Sequence, residues 1–388
     1  MSFSRAFAED NNEVALALFG KSLDERGNLF FSPFSVRTVL GMMCVGARGE
    51  TAAQMTNVLR LSSSSETNDY GLADLIQRLN SSGGGKYEVA VALSVWAQCG
   101  DPLRAEFIAM LEGFYRGSMN HVDFRDGAEA ASAAINRWVE EHTRQNIRGM
   151  VSSADLRPDT GLILVNAVYF KGLWERPFQT AATLNEPFYL ERGGQVGARL
   201  MHQESEIRYL QADGFQVVDL DYQGGDMSML ILLPQEIDGL HDLEGRLSAT
   251  ILRDSVSKME RRKVKVALPK FRMTWSAADL KSWLSALGMP LAFARSLADF
   301  SGINGCEPPH ANALFISTIF QKAFVNVNEE GTEATAATLA VFLRGMPDRD
   351  PPPVPIFRAD HPFLFAIRDR YSDSILFFGR MSDPTKAS

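Results

Sequence analysis

The sequence predicts an α+β fold. Near the beginning, apolar residues recur at helical spacing, as in Val14, Leu16, Leu18 and Phe19. From Glu186 to Pro234 the pattern changes to short apolar strands separated by turns such as Gly193-Gly194 and Gly224-Gly225-Asp226. The chain then ends on two apolar stretches, 360–367 and 374–380, that read as buried strands. Helical and strand patterns kept apart along the chain, rather than alternating, point to α+β.

Each element follows from local chemistry. Asn11 to Leu23 is expected to form a first amphipathic helix. Leu29, Phe30 and Phe31 make a short strand that stops at Pro33. Ser32 can cap the next helix and Pro33 fits its first turn. That helix continues through Val39, Leu40 and Met43 to Gly46, apolar nearly all round and therefore buried. The turn at 46–51 leads into a helix holding Gln54 and Met55, and a short helical segment, Tyr70 to Leu79, lies between polar clusters. Tyr87 to Trp96 alternates as a strand, while Ala133 to Thr143 places Ile135, Trp138 and Val139 on one helical face. Leu162 to Phe170 is a strand followed by an apolar turn, Lys171 to Phe178. Further strands are expected at 187–190, 207–210, 217–222, 227–233, 264–268 and 270–274, with a helix at Leu280 to Leu287. Ala313 to Val327, apolar and β-branched, reads as a strand of a large sheet.

The chain has 388 residues and no long Pro/Gly/Ser linker, so a single domain over 1–388 is expected. Hydrophobic content of 45% supports a sizeable core. A net charge of −8 and a pI of about 5.4 argue against a nucleic-acid or anionic-membrane partner. Lys258, Arg261, Arg262, Lys263 and Lys265 form a basic run; a solvated strand face is the favoured reading, a polyanion site the alternative. No stretch reaches ~18 uninterrupted apolar residues. Residues 1–12 lack the apolar core of a signal peptide, which leaves the location open between cytoplasm and secretion. The three cysteines, Cys44, Cys99 and Cys306, include no close pair and give no disulfide framework. Asn80-Ser81-Ser82 is a lone glycosylation sequon.

Catalytic motifs are missing. The six histidines form no H-E-x-x-H site and the cysteines no C-x-x-C site. There is no G-x-S-x-G elbow and no phosphate-binding glycine loop. His361, before Pro362, is expected to be structural. No cofactor and no catalytic residue is expected.

One stretch remains unusual. After the strand 313–327 come Asn328, Glu329, Glu330, Gly331, Thr332, Glu333, Ala334, Thr335, Ala336, Ala337 and Thr338, then Leu339 to Gly345. Taken with period 2, one face carries Thr332, Ala334, Ala336, Thr338 and Ala340, all small and uncharged. Such a segment can slide between existing strands, since nothing large stands on that face before Phe342. The stretch closely resembles the hinge and reactive-centre loop of inhibitory serpins, the intracellular ovalbumin-like and invertebrate members above all. The match extends over essentially the whole chain: the run Asn28 to Thr51 resembles the helix behind the family's main sheet, and Leu162 to Phe178 its central strand.

The resemblance implies a serpin fold of three β-sheets, the large sheet A mixed, with eight or nine helices and an exposed loop at about 329–358. It implies a suicide substrate: a protease cleaves the loop, forms an acyl-enzyme, and is trapped when the freed segment inserts into sheet A. By resemblance, residues 329–338 are the hinge, and Ser32, Ser35, Asn166, Trp174, Lys270 and Gln321 are shutter or breach residues. Gln321 replaces the family's usual histidine and is expected to hydrogen-bond to Asn166 and Ser32. Counting from Glu329 puts the scissile bond after Arg344 or Gly345, and Arg344–Gly345 is expected. Arg344 implies a trypsin-like serine protease; an elastase- or chymotrypsin-like enzyme acting at Leu343 or Met346 is the alternative. Heparin is not expected, since the 70–79 helix offers only Arg78. A monomer is expected. A non-inhibitory carrier, storage protein or chaperone, or an inhibitor of cysteine proteases, is the competing function.

Overall fold

The computed structural model describes residues 3–61, 71–76, 78–79, 87–115, 117–276, 280–332 and 353–386. The first helix, α1 (Phe3–Lys21), begins earlier than expected because Phe7 and Ala8 extend its buried face by a turn. Strand β1 (Leu29–Phe31) is fully buried and leads into α2 (Pro33–Gly46). The Ser32 hydroxyl accepts from the Ser35 amide at 3.3 Å, an N-cap, and Pro33 stands in the first turn, where no amide hydrogen is needed. Helix α3 (Gly49–Val58) follows.

A six-stranded sheet has the order β10 (Phe271–Ser276), β11 (Ile316–Val327), β4 (Leu162–Leu173), β2 (Tyr87–Gln98), β3 (Ser118–Val122), with the two-residue β12 (Gly331–Thr332) beside β4. It is mixed: β11 runs parallel to β4 and β3 parallel to β2, while β10 runs antiparallel to β11 and β2 antiparallel to β4. The nine-stranded sheet contains β1, β5 (Leu184–Tyr189), β6 (Gln195–Gln211), β7 (Phe215–Asp221), β8 (Met227–Pro234), β9 (Glu260–Pro269), β13 (Ile356–Arg358), β14 (Phe363–Asp369) and β15 (Ile375–Met381). Its long strand β6 is shared by two arms, pairing β7 at one end and β5 and β9 along the rest. With the mixed sheet, these arms make up the expected three-sheet architecture. Among the described residues ten helices flank the sheets, and short ones such as Ser301–Asn304 are too brief for periodicity to reveal.

Alternation along β4 divides the interior. Leu162, Leu164, Val168 and Phe170 point into the main core with α2 and β15. Ile163, Val165, Ala167 and Tyr169 point the other way, into a second core formed with Ile135 and Val139 of α4 (Ala128–His142). The basic run lies on or just before β9, where Arg261 pairs with Asp221 at 2.8 Å and Lys263 with Glu204 at 2.5 Å, as a solvated strand face requires. His361 is buried, its Nε2 donating to the Pro234 carbonyl at 2.9 Å and its Nδ1 lying 2.9 Å from Asp360.

Candidate functional site

The site is the seam between the parallel strands β4 and β11. Their register runs from Ile316 opposite Leu162, through Gln321 opposite Asn166, to Phe324 opposite Tyr169. Above that pair β4 continues to Leu173 and takes a different partner. Gly331 stands opposite Leu173 and Thr332 opposite Gly172, in an antiparallel pairing. Thus β12 lies against the upper end of β4, where the register with β11 has ended.

Backbone groups hold the approach to this pairing. Trp174 N donates to the Glu330 carbonyl at 2.9 Å, and Phe178 N to the Glu329 carbonyl at 2.7 Å. Trp174 Nε1 donates to the Asn328 carbonyl at 3.0 Å. The Trp174 ring is 1% exposed and stacks on Tyr222 with centroids 4.5 Å apart, so that its donor is fixed in direction. The Asn328 side chain accepts from the Glu330 and Gly331 amides at 3.0 and 3.2 Å and shapes the turn between β11 and β12. Gly331 has φ +148°, and a Cβ there would lie 2.1 Å from the Gly172 carbonyl oxygen, so the close pairing with β4 needs glycine.

Glu329 is buried beneath this turn, with Lys270 Nζ 2.6 Å from Oε2 and the Thr183 hydroxyl donating to Oε1 at 2.8 Å. Burial alone would raise its pKa. The hydrogen bonds from Lys270 and Thr183 prevail and hold the carboxyl below the ordinary glutamate range.

Lower on the seam, Gln321 Nε2 donates to the Ser32 carbonyl at 2.9 Å and to the Ser35 hydroxyl at 3.2 Å. Ser35 Oγ donates to the Ser32 carbonyl at 3.0 Å, and Ser32 Oγ to the Leu376 carbonyl at 2.7 Å. One expectation is corrected here: Gln321 makes no hydrogen bond to Asn166, although the two are register partners. Its amide nitrogen is directed back onto the N-cap of α2. Both polar atoms of Asn166 and Oε1 of Gln321 are buried without a hydrogen-bond partner among the described residues.

The structure therefore gathers the expected residues into two groups: Trp174, Lys270, Glu329, Glu330, Gly331 and Thr332 at the top, and Ser32, Ser35, Asn166 and Gln321 midway. Glu333, Ala334, Thr335, Ala336, Ala337, Thr338, Arg344 and Gly345 lie outside the described residues, as does Asn80. Sequence reasoning missed Phe178 and Thr183, both in the connection from β4 to β5, and Tyr222, just past β7; none carries a motif. The N-E-E-G spacing at 328–331 was the available signal for the Asn328 turn. Arg78 is engaged by Asp369 at 3.2 Å and lies over the Tyr371 ring. Among the described residues no cluster of His, Cys, Asp or Glu is disposed to hold a metal, and no helix is long and apolar enough to cross a membrane.

Comparison with known proteins agrees with this geometry. The profile of the serpin (serine protease inhibitor) family matches residues 9–384. An uncharacterised serpin-like protein of Thermococcus kodakarensis is 39% identical over 96% of this chain and 84% of its own length. The leukocyte elastase inhibitor of Sus scrofa is 38% identical over 96% of this chain and 98% of its own. Uncleaved ovalbumin superposes with a TM-score of 0.85 at 29% identity, covering 97% of this chain and all of that one. Serpin48 of Tenebrio molitor superposes at 0.84 with 30% identity, covering 97% and 98%. On its matched length, its paired seam and these likenesses, the chain belongs to the serpin family.

Proposed function

We propose that this serpin is a suicide-substrate inhibitor of serine proteases, cleaved between Arg344 and Gly345 in a loop spanning about 329–358. The observation that carries the reading is the antiparallel pairing of Gly331 and Thr332 with Leu173 and Gly172. Continued down β4, that register brings Ala334 opposite Phe170, Ala336 opposite Val168, Thr338 opposite Asn166 and Ala340 opposite Leu164. Directly opposed residues share a face, and this face of β4 is the main core, where only small side chains fit without displacement. On the other face Glu333 meets Lys171. The Thr338 hydroxyl arrives beside the buried amides of Asn166 and Gln321, which have unused polar atoms to receive it.

The chain is then the protease's substrate and not a catalyst. Cleavage leaves an acyl ester on the new carboxyl end, and about twelve residues inserted at ~3.3 Å each span roughly 40 Å, enough to carry the protease along the sheet. Distortion of the protease's catalytic groups leaves the ester unhydrolysed. Insertion runs downhill only if the uncleaved fold is kinetically rather than thermodynamically trapped. We read residues 1–388 as one domain, acting as a monomer without a cofactor.

A trypsin-like target follows from Arg344, whose guanidinium fits an acidic specificity pocket. A second reading, an elastase-like target acting at Leu343 or Met346, is favoured by the relatives named leukocyte elastase inhibitor. The test is incubation with trypsin and with elastase, followed by denaturing electrophoresis and mass analysis of the released peptide. A denaturant-resistant adduct and a peptide starting at Gly345 are expected with trypsin. Cleaved chain without any adduct would assign the protein to the non-inhibitory members.

A further inference from the structure

We propose that Tyr169, Phe324 and Arg272 form a clasp across the seam that holds the sheet at the stage of partial insertion and sets the rate of strand uptake. The inference rests on the insertion reading above and adds residues that no motif singles out.

The Tyr169 and Phe324 rings stack with centroids 5.7 Å apart and planes 20° from parallel. Arg272 lies over the Phe324 ring, its guanidinium carbon 4.9 Å from the centroid. Each of the three residues comes from a different strand, β4, β11 and β10. Tyr169 and Phe324 are also the last pair in the β4–β11 register, the point at which the two strands part. Both rings are buried, on the face toward α4, and so stand on the side of the sheet opposite Asn166 and Gln321. The seam is therefore closed by different chemistry on its two faces, polar behind and aromatic in front.

A strand inserted between β4 and β11 moves them from about 4.8 Å to about 9.6 Å apart, beyond the roughly 4.5–7 Å over which rings interact. The continued register brings Thr335 opposite Tyr169, so the third residue after Thr332 must part the rings. Residues before it meet no such contact. The Arg272–Phe324 contact survives, because β10 and β11 stay paired. Arg272 thus keeps Phe324 oriented and acts as a positioning residue, while the Tyr169–Phe324 stack is the contact that opens. The clasp resists spontaneous insertion by the uncut loop and yields once cleavage frees the whole segment.

The test uses the intact chain and a synthetic peptide with the sequence of residues 332–343, its uptake followed over time by native mass spectrometry. Phe324→Leu and Tyr169→Leu keep apolar bulk and remove the stack; each should take up peptide about fivefold faster than wild type. The double variant should be no faster than either single one, since only one contact is lost. Tyr169→Phe should restore slow uptake, and Arg272→Gln should accelerate it about twofold. Phe320→Leu, on the same face of β11 and also packed against the second core, should behave as wild type. Equal rates in wild type and ring variants, additive effects in the double variant, or acceleration by Phe320→Leu would each overturn the clasp and leave insertion standing. A wild-type chain that takes up no peptide would overturn insertion itself.

Discussion

Lys270 Nζ lies 2.6 Å from Glu329 Oε2, and this contact fixes Glu329 to the single residue between β9 and β10. Those strands belong to different sheets, so Glu329 is anchored where the two sheets meet. Thr183 holds the other carboxylate oxygen, which leaves Glu329 with both oxygens engaged and little freedom to leave.

The anchor predicts an acid-dependent stability. The folded-state pKa of Glu329 is depressed, so its contribution is present above the unfolded value of about 4.3 and is lost as pH falls through the lower folded value. Glu329→Gln should destabilise the uncleaved chain by roughly 1–2 kcal/mol at pH 7, a fall of about 1–3 °C in the thermal midpoint. The gap between variant and wild type should stay constant from pH 8 to pH 5 and shrink below about pH 4. A gap of the same size at pH 3 would mean the charge at Glu329 is irrelevant.

Gly331→Ala tests the start of insertion. The added methyl would stand 2.1 Å from the Gly172 carbonyl oxygen and 2.6 Å from Leu173 Cα, both backbone atoms that cannot turn aside. Relief requires β12 to lift from β4, which also breaks the Trp174 amide's bond to the Glu330 carbonyl. Hydrogen exchange at the Trp174 amide should accelerate at least about tenfold. Unchanged protection would show that the pairing tolerates a side chain.

The sequence made the two ends of this site legible to different degrees. Ser32 and Pro33 announce a capped helix through local chemistry, and the cap is present. The small-residue alternation of 332–340 stands out because it has no use in an ordinary loop. The orientation of Gln321 could not be read, because a side-chain amide chooses between acceptors by fractions of an ångström; it turns to Ser32 and Ser35 and away from Asn166. Strand β6 is legible in the sequence only at Ile207 to Leu210, since its middle carries Gln203, Glu204, Ser205 and Glu206 and is a strand by virtue of its ladder with β9. Thr183 and Tyr222 reach the site from distant loops, and only tertiary packing discloses them.

Ala334→Arg should convert an inhibitor into a plain substrate. On the proposed insertion register the position would come opposite Phe170 on the core face, where an unpaired guanidinium costs several kcal/mol. Cleavage by trypsin should remain as fast as in wild type, with the adduct band gone. Thr332→Arg should behave alike. Undiminished adduct from both variants would rule out insertion along this register.

Thr338→Val separates the two states of the sheet. The change keeps shape and removes the hydroxyl that is expected to meet Asn166 and Gln321. The cleaved form should lose about 1–3 kcal/mol, read as a lower denaturant midpoint, while the uncleaved form melts as before. Equal effects on both forms would show that residue 338 does not reach those amides.

On the proposed mechanism the position of the cut is constrained by length more than by residue type. Too short an inserted segment cannot carry the protease far enough, and too long a one leaves slack in which the ester hydrolyses. Counting sixteen or seventeen residues from Glu329 leads to Arg344 or Gly345, and of these only Arg344 offers a side chain for a deep acidic pocket. Arg349 is basic too, but it lies five residues later and precedes Asp350 and Pro351-Pro352-Pro353, a run suited to an extended return path. Arg344→Ala should therefore abolish the adduct with trypsin, lowering the association rate at least about a hundredfold through loss of the buried charge pair. Any adduct with elastase should persist. If elastase is the better partner of the wild-type chain, the released peptide will begin at Arg344 or Pro347, after Leu343 or Met346, and Arg344 will have no effect on trapping. A peptide beginning at Gly345, lost together with the adduct in the variant, identifies Arg344 as the residue the protease reads.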